Sequence, residues 1–215
     1  KERFSSAGFV VFDESFERKP QVLGPNQQAW WGGYEFKFKL IEEAKYKALG
    51  GSRETIRRNA LVVGPDQQRK FSVDMSKFEY CEGKVEREMD SYMIYVYSPE
   101  MIAVEKLRAI CQQMPEYTLR NQASPRARDF YDIWRVITQT GLNLTAPETV
   151  ELAKHIFAAK QVPLALLAKV RDQREVHRPD WPAVVAAVAE SLNDFDFYFD
   201  FVVEQVATLK TLWVE

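Results

Sequence analysis

The sequence predicts an α+β protein, with a β-rich part over residues 1–97 followed by an all-helical part over residues 98–215. Three observations carry this. Up to Tyr97, short β-branched and aromatic runs alternate with polar residues and stop at Gly, Pro or Asp, the period-two signature of strands. Beyond Tyr97 the apolar period lengthens to about 3.6, that of a helix. The change falls at Ser98-Pro99-Glu100, which offers an N-cap hydroxyl, a proline for the first helical position and an early acid.

Strands are predicted at Phe9 to Phe12, Tyr34 to Ile41, Asn59 to Val63, Phe71 to Asp74 and Tyr92 to Val96. In "YEFKFKLI" the residues Tyr34, Phe36, Phe38 and Leu40 share one face and Glu35, Lys37 and Lys39 the other, as in a half-solvated antiparallel strand. Gly-Pro pairs make "LGPNQQAWWGG" and "VVGPDQQ" turn segments. The helix after Ser98 carries Val104, Leu107, Cys111 and Met114 on one face. Ser124-Pro125 repeats the capping device for a second helix, with Phe130, Ile133, Trp134 and Ile137 as its buried stripe. Further helices are predicted over Ala146 to Lys160, Pro163 to Asp172, Trp181 to Ser191 and Phe195 to Leu212.

A chain of 215 residues has room for one large domain or two small ones. With 46% hydrophobic and 13% aromatic residues, no stretch has the composition of a disordered segment. The formal charge of −2 excludes a globally basic nucleic-acid binder, so any basic patch is local. Cys81 and Cys111 are too few for a disulfide framework, and beside two histidines they make no zinc cluster; they read as core thiols of a reducing compartment. The apolar stretches are interrupted by Lys169, Arg171 and Glu190, short of the roughly 20 residues that span a bilayer, so a cytoplasmic location is expected. The opening "KERFSS" has neither a methionine nor the apolar run of a signal peptide, which suggests a fragment or a missing beginning.

Chemistry-bearing residues concentrate in "SPRARDFYDIW". Asp129 and Asp132 are helical neighbours, with Arg126, Arg128 and Arg135 three or four residues away, and spacing alone makes them an exposed ion-pair ladder worth a few tenths of a kcal/mol per pair. Lys106 lies at the margin of its helix's apolar stripe, the usual place of a snorkelling lysine. Asp74 ends the strand "KFSVDMS" opposite Phe71 and Val73, where a carboxylate holds a metal or caps a turn.

Taken together, "SPEMIAVEKLRAI", "RARDFYDIW" and the preceding strand that ends in an acid resemble the AbiEii/AbiGii nucleotidyltransferases, the toxins of type IV toxin–antitoxin and abortive-infection systems. The resemblance covers residues from about Tyr34 onward and is most specific from Ser98 to Trp134. It implies a DNA polymerase β-like nucleotidyltransferase sheet, incomplete at its N-terminus, followed by the helical half. It also implies Mg²⁺ or Mn²⁺, a nucleoside triphosphate substrate, transfer to tRNA or another macromolecule, growth arrest or phage defence, and a cognate antitoxin. Residue by residue, Asp74 matches the sheet acid that binds metal, while Lys106 and Asp129 match the catalytic lysine and aspartate. Arg126, Arg128 and Asp132 match the nucleotide-binding positions, with Arg128 where the family usually has lysine. Such roles fit a polyanionic substrate, since a cation must offset charge building on the leaving pyrophosphate. Lys106 and Arg126 are the candidates for that task, and Asp129 either accepts a proton from the attacking hydroxyl or positions the nucleotide. Asp132 would hold Arg128 or Arg135 in place.

The chain departs from the family early. Arg3-Phe4-Ser5 matches the start of the Arg-Phe-Ser-x-Asp-x-Asp strand, but Ser6-Ala7-Gly8 follows and no Asp-x-Asp pair appears. Gly50-Gly51-Ser52 stands after the strand it should precede and reads as a loop, and the adjacent pair Asp13-Glu14 would point to opposite faces of a strand. Either a metal-binding segment around Ser5 and Ser6 is missing, or the chain is a catalytically degenerate homologue that binds nucleotide or RNA. The first is preferred because "RFSS" reads like the joined ends of a broken motif. Arg53, Arg57, Arg58, Arg69 and Lys70, among Glu54 and Asp66, form a basic stretch. Glu190, Asp194, Asp196, Asp200 and Glu204 form an acidic one, an asymmetry able to orient a polyanion or an antitoxin, although a solvated face is the more frequent reason for such runs.

Overall fold

The computed structural model describes residues 1–24, 32–50, 52–63, 67–119 and 122–213. They divide into two compact units, Lys1–Lys77 and Phe78–Glu215. The turns expected around residues 25–31 and 64–66, and Gly51, lie outside the described residues.

In the first unit, helix α1 (Glu2–Ser6) leads into β1 (Phe9–Lys19), which pairs antiparallel with β2 (Gly33–Glu42). After helices α2 (Glu43–Ala48) and α3 (Arg53–Arg58), β3 (Phe71–Ser76) adds antiparallel to β2, giving the order β1-β2-β3. The predicted alternation of β2 holds: Phe36 lies across from Phe16 and Val73, and the Phe38 ring stacks on Phe71 at 5.0 Å. Gly33 opens β2 because a Cβ there would lie 1.9 Å from the Met75 carbonyl oxygen. The predicted Phe9 to Phe12 is only the start of an 11-residue strand. Phe12 faces Lys39 and Ser15 faces Lys37, so Asp13 and Glu14 together oppose Phe38, and Asp13 bends to φ 52° in this bulge.

One predicted strand is absent. Residues Asn59 to Val63 are not a strand but the end of α3 and an irregular stretch beyond it. Ser52 Oγ accepts the Thr55 amide at 3.5 Å and so starts a helix just before this stretch, and Asn59 Nδ2 closes it on the Thr55 carbonyl at 2.9 Å. The stretch keeps a link to the sheet through Leu61 N, which donates to Leu40 O at 2.8 Å.

The second unit starts with a hairpin of β4 (Val85–Met89) and β5 (Tyr92–Val96). The sequence placed the division between the two parts at residue 97, but this hairpin belongs to the helical unit. Lys160 Nζ pairs with Glu79 at 2.9 Å and Tyr80 stacks on His155 at 5.2 Å, which ties the segment before β4 to helical residues. Helices α4 (Pro99–Cys111), α5 (Ala127–Thr140) and α6 (Pro147–Ala159) follow, then a 3₁₀ run at Leu164–Asp172. Helices α7 (Arg174–His177), α8 (Trp181–Ala187) and α9 (Phe195–Ala207) complete the unit. The strands and helices described make the α+β class; the polymerase β-like topology goes beyond them.

Helix α4 begins as its sequence dictates, with the Met101 amide donating to Ser98 Oγ at 3.3 Å, and Val104, Leu107, Cys111 and Met114 are all buried. Ser124 and Pro125 do not cap α5; they lie exposed ahead of it, and the helix starts at Ala127 without a side-chain cap. It ends at Gly141, whose φ of 68° is the left-handed conformation of a C-terminal stop. Helix α8 is shorter than predicted because Val188 turns extended, and α9 begins where Asp194 Oδ1 accepts the Phe197 amide at 3.0 Å.

Phe130 of α5 sits at the centre of the core, its ring 5.5 Å from Phe195, 5.1 Å from Phe199 and 5.2 Å from His177. Burial of such a ring contributes about 1.5–3 kcal/mol. Trp134 is only half-buried, its ring packing edge-on against Tyr198 at 5.2 Å. The acidic run is not a bare face: Arg178 reaches Asp196 at 2.8 Å, Arg174 reaches Asp196 and Asp200, and Arg135 reaches Glu190 at 2.7 Å. Cys81 is exposed and Cys111 buried, burial pushing the Cys111 thiol pKa up. Among the described residues no helix is long and apolar enough to cross a membrane.

Candidate functional site

Helices α4 and α5 pack together, and their facing sides carry the charges that the sequence singled out. Lys106 Nζ lies between two carboxylates, donating to Asp129 Oδ1 at 3.0 Å and to Asp132 Oδ2 at 2.7 Å. Asp129 and Asp132 are one turn apart, so a single ammonium from the neighbouring helix reaches both. Asp129 is 4% exposed, which overturns the exposed-ladder reading for this residue. Its second oxygen accepts from Arg126 Nε, so both of its oxygens are engaged by cations. Arg128 stands over Asp132 at 3.6 Å, with its side chain 57% exposed.

Burial works against the Lys106 ammonium, but Asp129 and Asp132 outweigh it and hold its pKa above that of an ordinary lysine. Lys106 therefore stays charged at neutral pH and acts as a fixed cation rather than as a base. Three cations against two carboxylates leave the cluster with an excess of positive charge, and Arg126 and Arg128 are its most accessible members. Arg135, a possible partner of Asp132 by spacing, turns away to Glu190 and to Tyr131 Oη at 2.6 Å.

One contributor left no signal in the sequence. His177 is fully buried, and its Nδ1 accepts the Arg126 amide at 3.0 Å, doing for the start of α5 what no cap residue does. Burial pulls its imidazole pKa down to about 4, with Asp129 resisting and Arg126 assisting. The ring is thus neutral at pH 7, with its proton on Nε2, which has no hydrogen-bond partner among the described residues. A histidine 51 positions downstream belongs to no local motif.

Asp74 is in the first unit, where it pairs with Lys19 Nζ at 2.8 Å and its side chain is 64% exposed. Across the strands it faces Glu35, which pairs with Lys37 at 2.5 Å and accepts Ser72 Oγ at 2.8 Å. Among the described residues no group of three or more His, Cys, Asp or Glu side chains is placed to hold a metal ion. Asp74 and Glu35 are engaged by lysines, and Asp129 and Asp132 enclose an ammonium. These carboxylates do not make an oxygen cage for a divalent ion.

No curated protein and no solved structure matches the chain. A family model does, that of the nucleotidyl transferase AbiEii toxin of type IV toxin–antitoxin systems, over residues 2–201. That span takes in the sheet, the hairpin and the cluster of Lys106, Asp129 and Asp132, so the chain belongs to the AbiEii nucleotidyl transferase toxin family.

Proposed function

We propose that the chain acts in the cytoplasm as a growth-arresting or phage-defence toxin, moving a nucleotidyl group from a nucleoside triphosphate to tRNA or another macromolecule, under control of a cognate antitoxin. The observation that carries this reading is the ammonium of Lys106 fixed between Asp129 and Asp132 with Arg126 and Arg128 beside it. In the reaction an acceptor hydroxyl oxygen forms a bond to the α-phosphorus, the bond to pyrophosphate breaks, and the hydroxyl proton passes to solvent or a base. Arg126 and Arg128 supply donors to phosphate oxygens, and Lys106 adds a positive charge that needs no reorganisation when charge builds on the leaving group. Asp129 is a positioning residue in this scheme, because both its oxygens are already engaged and neither is open to a substrate proton. The sheet of the first unit would be the remainder of a DNA polymerase β-like nucleotidyltransferase sheet. Dependence on Mg²⁺ or Mn²⁺, with Asp74 as ligand, rests on the family resemblance alone.

The sequence after Arg3-Phe4-Ser5, which carries no Asp-x-Asp pair, favours a second reading, a degenerate homologue that binds nucleotide or RNA without turnover. Incubating the chain with total tRNA and each α-labelled ribonucleoside triphosphate, with Mg²⁺ or Mn²⁺, separates the two. Label in tRNA that is lost in Lys106→Ala and Arg128→Ala supports transfer. Nucleotide binding without incorporation supports the second reading. Incorporation that persists in both folded variants removes the cluster from the function.

A further inference from the structure

A second cluster of charges lies in the first unit, and nothing in the transferase reading uses it. The bulge in β1 turns Asp13 toward α3, where it accepts from Arg53 Nη2 at 3.2 Å and from Arg57 Nη2 at 3.0 Å, with Lys39 Nζ of β2 at 3.6 Å. These residues, with Ser15 and Lys70, line an open pocket of about 390 Å³. The other carboxylate at its wall, Glu14, is taken by Lys1 at 2.8 Å, and Lys70 pairs with no carboxylate among the described residues. Three cations, Lys39 of β2 and Arg53 and Arg57 of α3, thus share one carboxylate, with Lys70 as a fourth positive charge in the lining.

We propose that this pocket is a binding site for a phosphate group, with Asp13 as its built-in counter-ion. A planar carboxylate satisfies at most a few donors lying near its plane, and Asp13 leaves Lys70 and the outer guanidinium edge of Arg53 unserved; the Arg53 side chain is 76% exposed. A phosphate brings three or more acceptor oxygens in a tetrahedral arrangement, so it takes the fork of Arg53, the ammonium of Lys70 and the Ser15 hydroxyl from different directions. Asp13 occupies Arg57 and Lys39 while the pocket is free, so it competes with an incoming anion for them. The pocket is open to solvent, so the phosphate can come from inorganic pyrophosphate or from the backbone of single-stranded RNA. This inference is independent of the reading of the Lys106 cluster.

The test uses the whole chain and two probes, pyrophosphate by calorimetry and a short fluorescent single-stranded RNA by anisotropy, at low and moderate salt. Arg53→Gln combined with Lys70→Gln removes two exposed cations without touching the core and should weaken binding about tenfold or more, with a shallower salt dependence. Asp13→Asn removes the competing charge and should tighten binding several-fold if its melting curve matches the parent's. Pyrophosphate binding lost in the double variant identifies a site for a free anion. RNA binding lost there without pyrophosphate binding identifies a backbone-phosphate site. The proposal is overturned if neither probe binds, if the folded double variant binds both as the parent does, or if a folded Asp13→Asn binds no tighter. Should Asp13→Asn fail to fold, the double variant decides alone.

Discussion

Replacing Asp129 by asparagine should destabilise the second unit by about 2 kcal/mol. Removing one partner of a buried ion pair costs about 3–5 kcal/mol, because the other charge is left without compensation. Here Lys106 keeps Asp132 and is 24% exposed, and the amide still offers one acceptor oxygen, which reduces the penalty. The remaining cost comes from the new NH₂ group, which faces either the Lys106 ammonium or the Arg126 guanidinium in a place closed to water. From sequence alone the same change would cost no more than about 1 kcal/mol, the figure for a residue at a solvated rim. Urea unfolding followed by helical circular dichroism should show a midpoint about 1 M lower at unchanged slope. Lys106→Met, alone and combined with Asp129→Asn, completes a double-mutant cycle with a coupling of at least about 1 kcal/mol. A folded Asp129→Asn within about 0.5 kcal/mol of the parent, or costs that simply add, would refute the buried-pair argument.

Phe130→Ala should cost about 3–5 kcal/mol in the same assay, since the cavity opens among Phe195, Phe199 and His177; a loss below about 1 kcal/mol would show that the core collapses into it. The neutral His177 makes stability pH-dependent. Its imidazole titrates near 6.5 when unfolded and at about 4 when folded, so between these values the unfolded chain binds the extra proton. Stability from this group is therefore complete above about pH 6.5 and falls by roughly 3 kcal/mol as the pH drops to 4. Urea midpoints at pH 7 and pH 4.5 should fall less in His177→Gln than in the parent, and equal falls would mean that His177 takes up its proton in the folded state.

The parts of the fold that announce themselves in sequence are those whose cause is local. Ser98 and Pro99 start α4 because a hydroxyl and an adjacent amide suffice, and the alternation of β2 survives because its faces differ in polarity along the whole strand. The start of α5 is not legible locally because the Arg126 amide is satisfied by His177, far along the chain. Strand β1 reads in sequence only as far as Phe12 because the bulge at Asp13 and Glu14 shifts the alternation by one, so that Val11 and Phe16, five residues apart, face Leu40 and Phe36 on the same side. Strand β4, "VEREM", is too charged to read as a strand until its partner β5 is known. The site was half legible. The i,i+3 pairing of Arg126 with Asp129 follows from spacing, but the arrival of Lys106 from another helix, and with it the burial of Asp129, depends on how α4 and α5 pack.

The unequal surroundings of the two cysteines have a practical use. The buried thiol of Cys111, its deprotonation suppressed, offers a maleimide almost no thiolate, while Cys81 is open to it. One dye can therefore be attached to the native sequence without any substitution. It would sit next to Tyr80, whose ring lies on His155 of α6, and its emission would report the opening of the second unit separately from that of the first.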